Sequence, residues 1–145
     1  MRILAVDPVE KRLGIALSDP SGTIASPLTV LKHLSRPLDA AAIASLAHDH
    51  EAGCVLVGQA LDDENQPTQQ SRRAERLAEA IRQQTSLPVI LWAESGTTQA
   101  AWQASRLMGV PRRKRQGHLD DLAAAALLQS YLDRLDNLET PPDRP

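Results

Sequence analysis

The chain has 145 residues, enough for one domain with a buried core, and no apolar stretch long and uncharged enough to cross a membrane. Its whole aromatic complement is Trp92, Trp102 and Tyr131, which argues against recognition of single strands by base stacking. A net charge of −2 gives no global attraction to nucleic acid, and the single Cys54 excludes an internal disulfide or a multi-cysteine zinc site.

The opening Met1-Arg2-Ile3-Leu4 is too short for a signal peptide, so a cytoplasmic location is expected. Residues 2–7 and 13–18 read as buried strands joined by a tight turn through Glu10-Lys11. Residues 23–31 read as a third strand. Pro27 lies inside it and removes a ladder donor, which places this strand at an edge or at a bulge. Pro37 suits the first turn of a helix whose apolar face is Leu38, Ala42, Ile43 and Leu46, with Gly53 as its stop. Residues 54–57 form a short buried strand, and 58–67 are polar and turn-rich. Ala74, Leu77, Ala78 and Ile81 recur at helical spacing from about Thr68. Arg72, Arg73 and Arg76 on that helix read as a solvated face partnered by Glu75 and Glu79. Residues 88–92 are a further strand. Thr97 or Thr98 suits the cap of a helix carrying Ala101, Ala104, Leu107 and Met108, stopped by Gly109. Residues 110–117 are basic and irregular. A last helix is expected from about Asp120 to Leu135. The domain then spans 1–135, and 136–145, with three prolines, reads as a disordered tail.

This order is a three-stranded meander followed by crossover units. It predicts an α/β fold with a mixed five-stranded sheet and helices on both faces. Three acids stand where hydrophobic elements meet loops. Asp7 closes Ile3-Leu4-Ala5-Val6, Glu94 follows Val89 to Trp92, and Asp120 opens the apolar stretch to Leu132. Carboxylates at such junctions can converge on one sheet edge, the place where open α/β folds build sites. Three hard oxygen donors there suit divalent cations and phosphodiester hydrolysis. The run Arg112-Arg113-Lys114-Arg115 precedes Asp120, and Lys11 lies close to Asp7 in sequence; these are the candidate phosphate contacts.

The segment Asp7-Pro8-Val9-Glu10-Lys11-Arg12-Leu13-Gly14-Ile15-Ala16 resembles the amino-terminal motif of the YqgF/RuvX family, which has an RNase H-like fold. Val57-Gly58, the stretch Trp92 to Thr98 and the stretch Asp120 to Leu132 resemble later segments of the same family in the same order. The resemblance implies catalytic and metal-binding roles for Asp7, Glu94 and Asp120, with Mg²⁺ or Mn²⁺ as cofactor. It further implies structured RNA or branched DNA as partner, through cleavage of the rRNA precursor at its 5′ end or resolution of DNA junctions. A monomer or a homodimer is compatible with this reading.

The chain also departs from the family pattern. Val9 stands for a usual glycine, Gln59-Ala60 for Leu-Pro, and Ala93 and Ser95 for the aspartate and arginine that flank the glutamate. Three acids, Asp62-Asp63-Glu64, follow beside the expected phosphate path. These changes motivate an alternative reading, a nucleic-acid-binding module of the same fold that has lost turnover.

Overall fold

A computed structural model describes residues 1–8, 11–60, 66–94 and 118–139 of the chain. Five strands form one sheet in the order β3-β2-β1-β4-β5: β1 (Arg2–Pro8), β2 (Arg12–Ser18), β3 (Ala25–Lys32), β4 (Ala52–Ala60) and β5 (Val89–Glu94). β1 pairs antiparallel with β2, and β2 antiparallel with β3, while β1–β4 and β4–β5 are parallel. The sheet is therefore mixed, with β1 at its centre, as the meander-then-crossover order predicts.

β1 is a continuous apolar run because both its faces are covered. Successive residues face opposite sides of a strand. Leu4 and Val6 join a core with Val55 and Val57 of β4, beneath helices α1 (Arg36–Asp49) and α2 (Gln69–Arg82). Ile3 and Ala5 join a second core with Cys54 and Leu56. This core lies beneath α3 (His118–Glu139), through Ala124, Leu128 and Leu132. Helices thus cover both faces. Ala74, Leu77, Ala78 and Ile81 of α2 are all buried, as their spacing predicts.

Pro27 lies in the edge strand. The β2–β3 register shifts beside it, Ile15 pairing with Thr29 and Ala16 with Pro27, so the proline sits at an irregular step on an edge. β3 starts two residues later than expected because Asp19 folds the preceding segment into a turn. Asp19 Oδ1 accepts the N–H groups of Thr23 and Ile24 at 2.8 and 2.9 Å, and Gly22 takes the left-handed conformation the turn needs (φ 73°).

Two expectations for α1 are corrected. The helix ends at Asp49, and the left-handed residue after it is Glu51 (φ 56°) rather than Gly53. Gly53 lies inside β4, at the step where the β1 register jumps from Arg2↔Ala52 to Ile3↔Cys54. A glycine at such a bulge is common because the extra residue strains the ladder. The inward stripe is Ala40, Ile43 and Ala47, with Leu46 packed at its flank, whereas Leu38 is 58% exposed. β4 extends to Ala60, past the expected Val57. Gly58, Gln59 and Ala60 stay in ladder with Trp92, Ala93 and Glu94 of β5 despite their turn-like composition. α3 runs to Glu139, past the expected Leu135, since no glycine or proline interrupts the chain before Pro141. Residues 140–145 of the expected tail lie outside the described residues, as do the expected helix over 97–109 and the basic loop over 110–117.

Candidate active site

Asp7 is the last residue but one of β1 and is only 7% exposed. Carboxylates are seldom so buried unless they are hydrogen-bonded, paired or coordinated to a cation. Strand alternation sets Asp7 with Ile3 and Ala5 on the α3 face. The parallel register Val6↔Val57, continued by one step, brings Asp7 level with Gly58 of β4. Gly58 in turn pairs with Trp92, and Ala60 with Glu94. Ile90 and Trp92 pack on the α3-side core, so the Glu94 position, two residues further, shares that face.

Helix α3 crosses this face closely. A Cβ built on Gly58 would stand 2.5 Å from Leu127 Cδ2 and 3.3 Å from Cδ1. The glycine therefore lets the helix rest on β4 at the level of Asp7. At the other end, Gln129 ties the helix to the start of β3. Its Oε1 accepts the Ala25 N–H at 2.9 Å, and its Nε2 donates to the Thr23 carbonyl at 3.0 Å. Ala25 pairs with Ser18, whose Oγ accepts the Ile3 N–H at 2.8 Å, so this is the end of the sheet where β1 begins. α3 thus points its N-terminus toward the end where β1, β4 and β5 finish. Asp120 lies in its first turn, two turns before Leu127, or about 10 Å along the axis.

Of the three acids singled out in the sequence, Asp7 is placed with its side chain; Glu94 and Asp120 are placed along the backbone only. All three positions fall on one face and toward one end of the sheet. Among the described residues no cluster of three metal-ligating side chains forms. Lys11 is exposed in the turn between β1 and β2, at the same end of the sheet. Arg112, Arg113, Lys114 and Arg115 lie outside the described residues, as do Val9, Ser95 and Asp62-Asp63-Glu64. Gln59 turns away from the α3 face, its Nε2 donating to Glu75 Oε1 of α2 at 3.0 Å. Glu79 meets Arg82 at 3.4 Å. Among the described residues Glu75 is thus met by Gln59, and Glu79 by Arg82 and Gln83, not by the arginines at 72, 73 and 76 that the sequence suggested.

Beneath the site, Trp92 and Tyr131 stack edge to face with centroids 5.4 Å apart. Burial pushes the Cys54 thiol above its ordinary range and, with the neighbouring Cys54, does the same to the Tyr131 phenol. Cys54 is a small buried apolar residue rather than a nucleophile.

The chain matches the family described as "RuvX: Holliday junction resolvase" over residues 1–134. It belongs to this family. A candidate pre-16S rRNA nuclease of Syntrophus aciditrophicus is 38% identical over 143 residues, covering 99% of this chain and 95% of the relative. One from Thermoanaerobacter pseudethanolicus is 36% identical, covering 94% and 99%. Among solved structures, the fold is similar to that of T. thermophilus RuvC in complex with a Holliday junction substrate, with a TM-score of 0.56, 17% identity and coverage of 94% and 96%. It is also similar to the Fowlpox virus resolvase in complex with Holliday junction DNA, with a TM-score of 0.53, 14% identity and coverage of 93% and 99%. The RuvX chain therefore has the α/β, RNase H-like fold of the resolvases, and no helix among its described residues is long and apolar enough to span a membrane.

Proposed function

We propose that this RuvX-family chain is a divalent-metal-dependent nuclease that hydrolyses nucleic-acid phosphodiesters, with Asp7, Glu94 and Asp120 as its metal-holding and catalytic carboxylates. The observation that carries the reading is Asp7, a carboxylate 7% exposed at the end of the central strand, on the sheet face shared by the Glu94 position and the N-terminus of α3. Three carboxylates are a hard oxygen donor set, which suits Mg²⁺ or Mn²⁺ better than a soft or imidazole-seeking metal. When bound, such ions supply an activated water and stabilisation of the leaving oxygen in an in-line displacement.

The chain's own residues hold and position. Asp7 is the fixed ligand, because its pairing with Gly14 of β2 and the Val6↔Val57 pair just before it hold its backbone in place. The Asp120 position lies in the first turn of α3, the end of a helix where negative charge is favourable. Lys11 and the run Arg112 to Arg115 contact substrate phosphates without reading bases, in keeping with a chain that carries three aromatic residues. The substrate is the 5′ end of the 16S rRNA precursor or a branched DNA junction, and the chain acts as a monomer or homodimer in the cytoplasm.

The test is a cleavage panel of a 16S-precursor fragment, a four-way junction and linear duplex, each with Mg²⁺ or Mn²⁺ and with chelator. Cleavage is expected only with metal, and Asp7→Asn should abolish it while leaving the melting temperature and nucleic-acid binding in place. Asp7→Asn that cuts at the wild-type rate removes Asp7 from the chemistry. Tight binding without cleavage of any substrate by the wild type would favour the alternative of a binding module that has lost turnover.

A further inference from the structure

Pro8 follows Asp7 and, by alternation, faces the other side of the sheet. There a cavity of about 330 Å³ opens between the end of β1 and the starts of α1 and α2. Leu13 and Leu77, from the core below, give it an apolar wall. Arg36, in the first turn of α1, and Arg73, in the second turn of α2, both line it, and among the described residues neither has an ion-pair partner. Among the described lining residues the one carboxylate, Asp39, is already engaged. Asp39 is 5% exposed, its Oδ2 meets His33 Nδ1, and its Oδ1 accepts the Leu34 N–H at 3.0 Å. The described lining thus holds two arginines without an ion-pair partner and one engaged carboxylate. The N-terminal ends of two long helices add partial positive charge at the same place. Gln70 Nε2 donates to the Pro8 carbonyl at 3.0 Å, which fixes α2 to the strand end that forms the cavity's far wall.

Two arginines 37 residues apart in the chain (36 to 73) line one cavity beside an apolar wall, and a guanidinium is the side chain best suited to a tetrahedral oxyanion. The volume is at the lower end of the range for small-molecule sites, roughly 300–1,000 Å³. We propose that this cavity is a phosphate-ester site distinct from the carboxylate edge, with Arg36 and Arg73 as its ligands. Its occupant is the phosphate of a nucleotide or of a nucleic-acid backbone. The proposal does not depend on Asp7 being catalytic.

Inorganic phosphate and adenosine 5′-monophosphate are titrated into the full chain without divalent metal, followed by calorimetry and by amide chemical shifts. The comparison is between wild type, Arg36→Gln/Arg73→Gln and Asp7→Asn. Saturable binding is expected, with shifts over residues 33–39 and 70–77, at least tenfold weaker in the double arginine variant and unchanged in Asp7→Asn. No saturable binding by the wild type, or equal affinity in the double variant, overturns the site. Junction or precursor RNA that displaces phosphate, and binds the double variant more weakly with a salt slope shallower by about 0.9 per lost contact, identifies the backbone as the source. Displacement by the nucleotide with nucleic-acid affinity unchanged identifies a free nucleotide. Phosphate that neither ligand displaces overturns the ester assignment. Should the double variant melt early, Arg73→Lys keeps the charge but loses the planar fork. Its affinity is expected to fall at least threefold, and an unchanged affinity counts against the proposal.

Discussion

Gly58→Ala tests how closely α3 must rest on the sheet. The added Cβ would stand 2.5 Å from Leu127 Cδ2, 3.3 Å from Cδ1 and 3.5 Å from Cγ, and Leu127 is itself buried. Either Leu127 leaves its rotamer or the helix lifts. Overpacking of this kind costs about 1–3 kcal/mol. Losing a glycine from the unfolded chain offsets about 0.5–1 kcal/mol of that. The net loss lies between zero and about 2.5 kcal/mol, centred on about 1 kcal/mol, a fall of roughly 2–4 °C in Tm at that centre for a chain of this size. Leu127→Ala alone removes a buried side chain and should cost about 2–5 kcal/mol. In the double variant the clash is gone and the new methyl fills part of the void, so the two costs should fall short of additivity by more than about 0.5 kcal/mol. Urea unfolding of the four proteins measures this directly. Strict additivity would refute the close-approach argument. The helix also carries Asp120 two turns upstream, and a shift of about 1 Å in a positioned group can cost about 100-fold in rate. Metal-dependent cleavage by Gly58→Ala is therefore expected to fall more steeply than its stability, and cleavage at the wild-type rate would detach the helix seat from the site.

Neutralising Arg112, Arg113, Lys114 and Arg115 to glutamine should weaken nucleic-acid binding equally across sequences and flatten its salt dependence by about 0.9 in log–log slope for each lost contact; filter binding at several salt concentrations checks it, and an unchanged slope removes the loop from the phosphate path. Asp19 is held ionised far below the ordinary carboxylate range, first by the Ile24 N–H, then by the Ser21 hydroxyl and the Thr23 N–H. A depressed folded pKa stabilises above the unfolded value of about 3.9 and loses that contribution as pH falls below it. Asp19→Asn should therefore be less stable than wild type at neutral pH, the gap closing as pH drops below about 4. A gap that is constant from pH 7 to pH 2 would sink this assignment.

The parts of the fold legible in sequence are those set by local pattern. The apolar run of β1 says that both faces are covered, and the 74-77-78-81 stripe of α2 says which side turns inward. Pro27 announces an edge or a bulge because a missing donor is tolerated only there, and it lies at both. The misreadings share a physical cause: tertiary contacts outweighed a local signal. Gly53 looked like a helix stop, but a bulge in the β1–β4 ladder uses it, and Glu51 supplies the left-handed turn instead. Leu38 looked inward, yet the neighbouring alanines at 40 and 47 face the core and leave it in solvent. Gly58 to Ala60 looked like a loop, but the partner strand extends the ladder through them. For the candidate site, the junction position of Asp7 was legible, while the face it occupies with the Glu94 position needed the strand register. Nothing local brings Arg36 and Arg73 to one cavity, since that depends on where α1 and α2 land on the sheet.

The end of β1 joins these observations. Alternation sends Asp7 to the α3 face and the next residue, Pro8, to the α1–α2 face. On the two proposals, one strand end would serve two chemistries, cation binding at an acidic edge and oxyanion binding in an arginine-lined cavity. The sheet keeps them apart. Opposite charges in direct contact would neutralise each other and leave neither a cation nor a phosphate site. A register slip of one residue would exchange the two faces and bury Pro8 where the carboxylate belongs. The ladders to β2 and β4 on either side of β1 are what prevent that slip, and this is why a carboxylate proposed to hold metal is better placed on the central strand than at an edge.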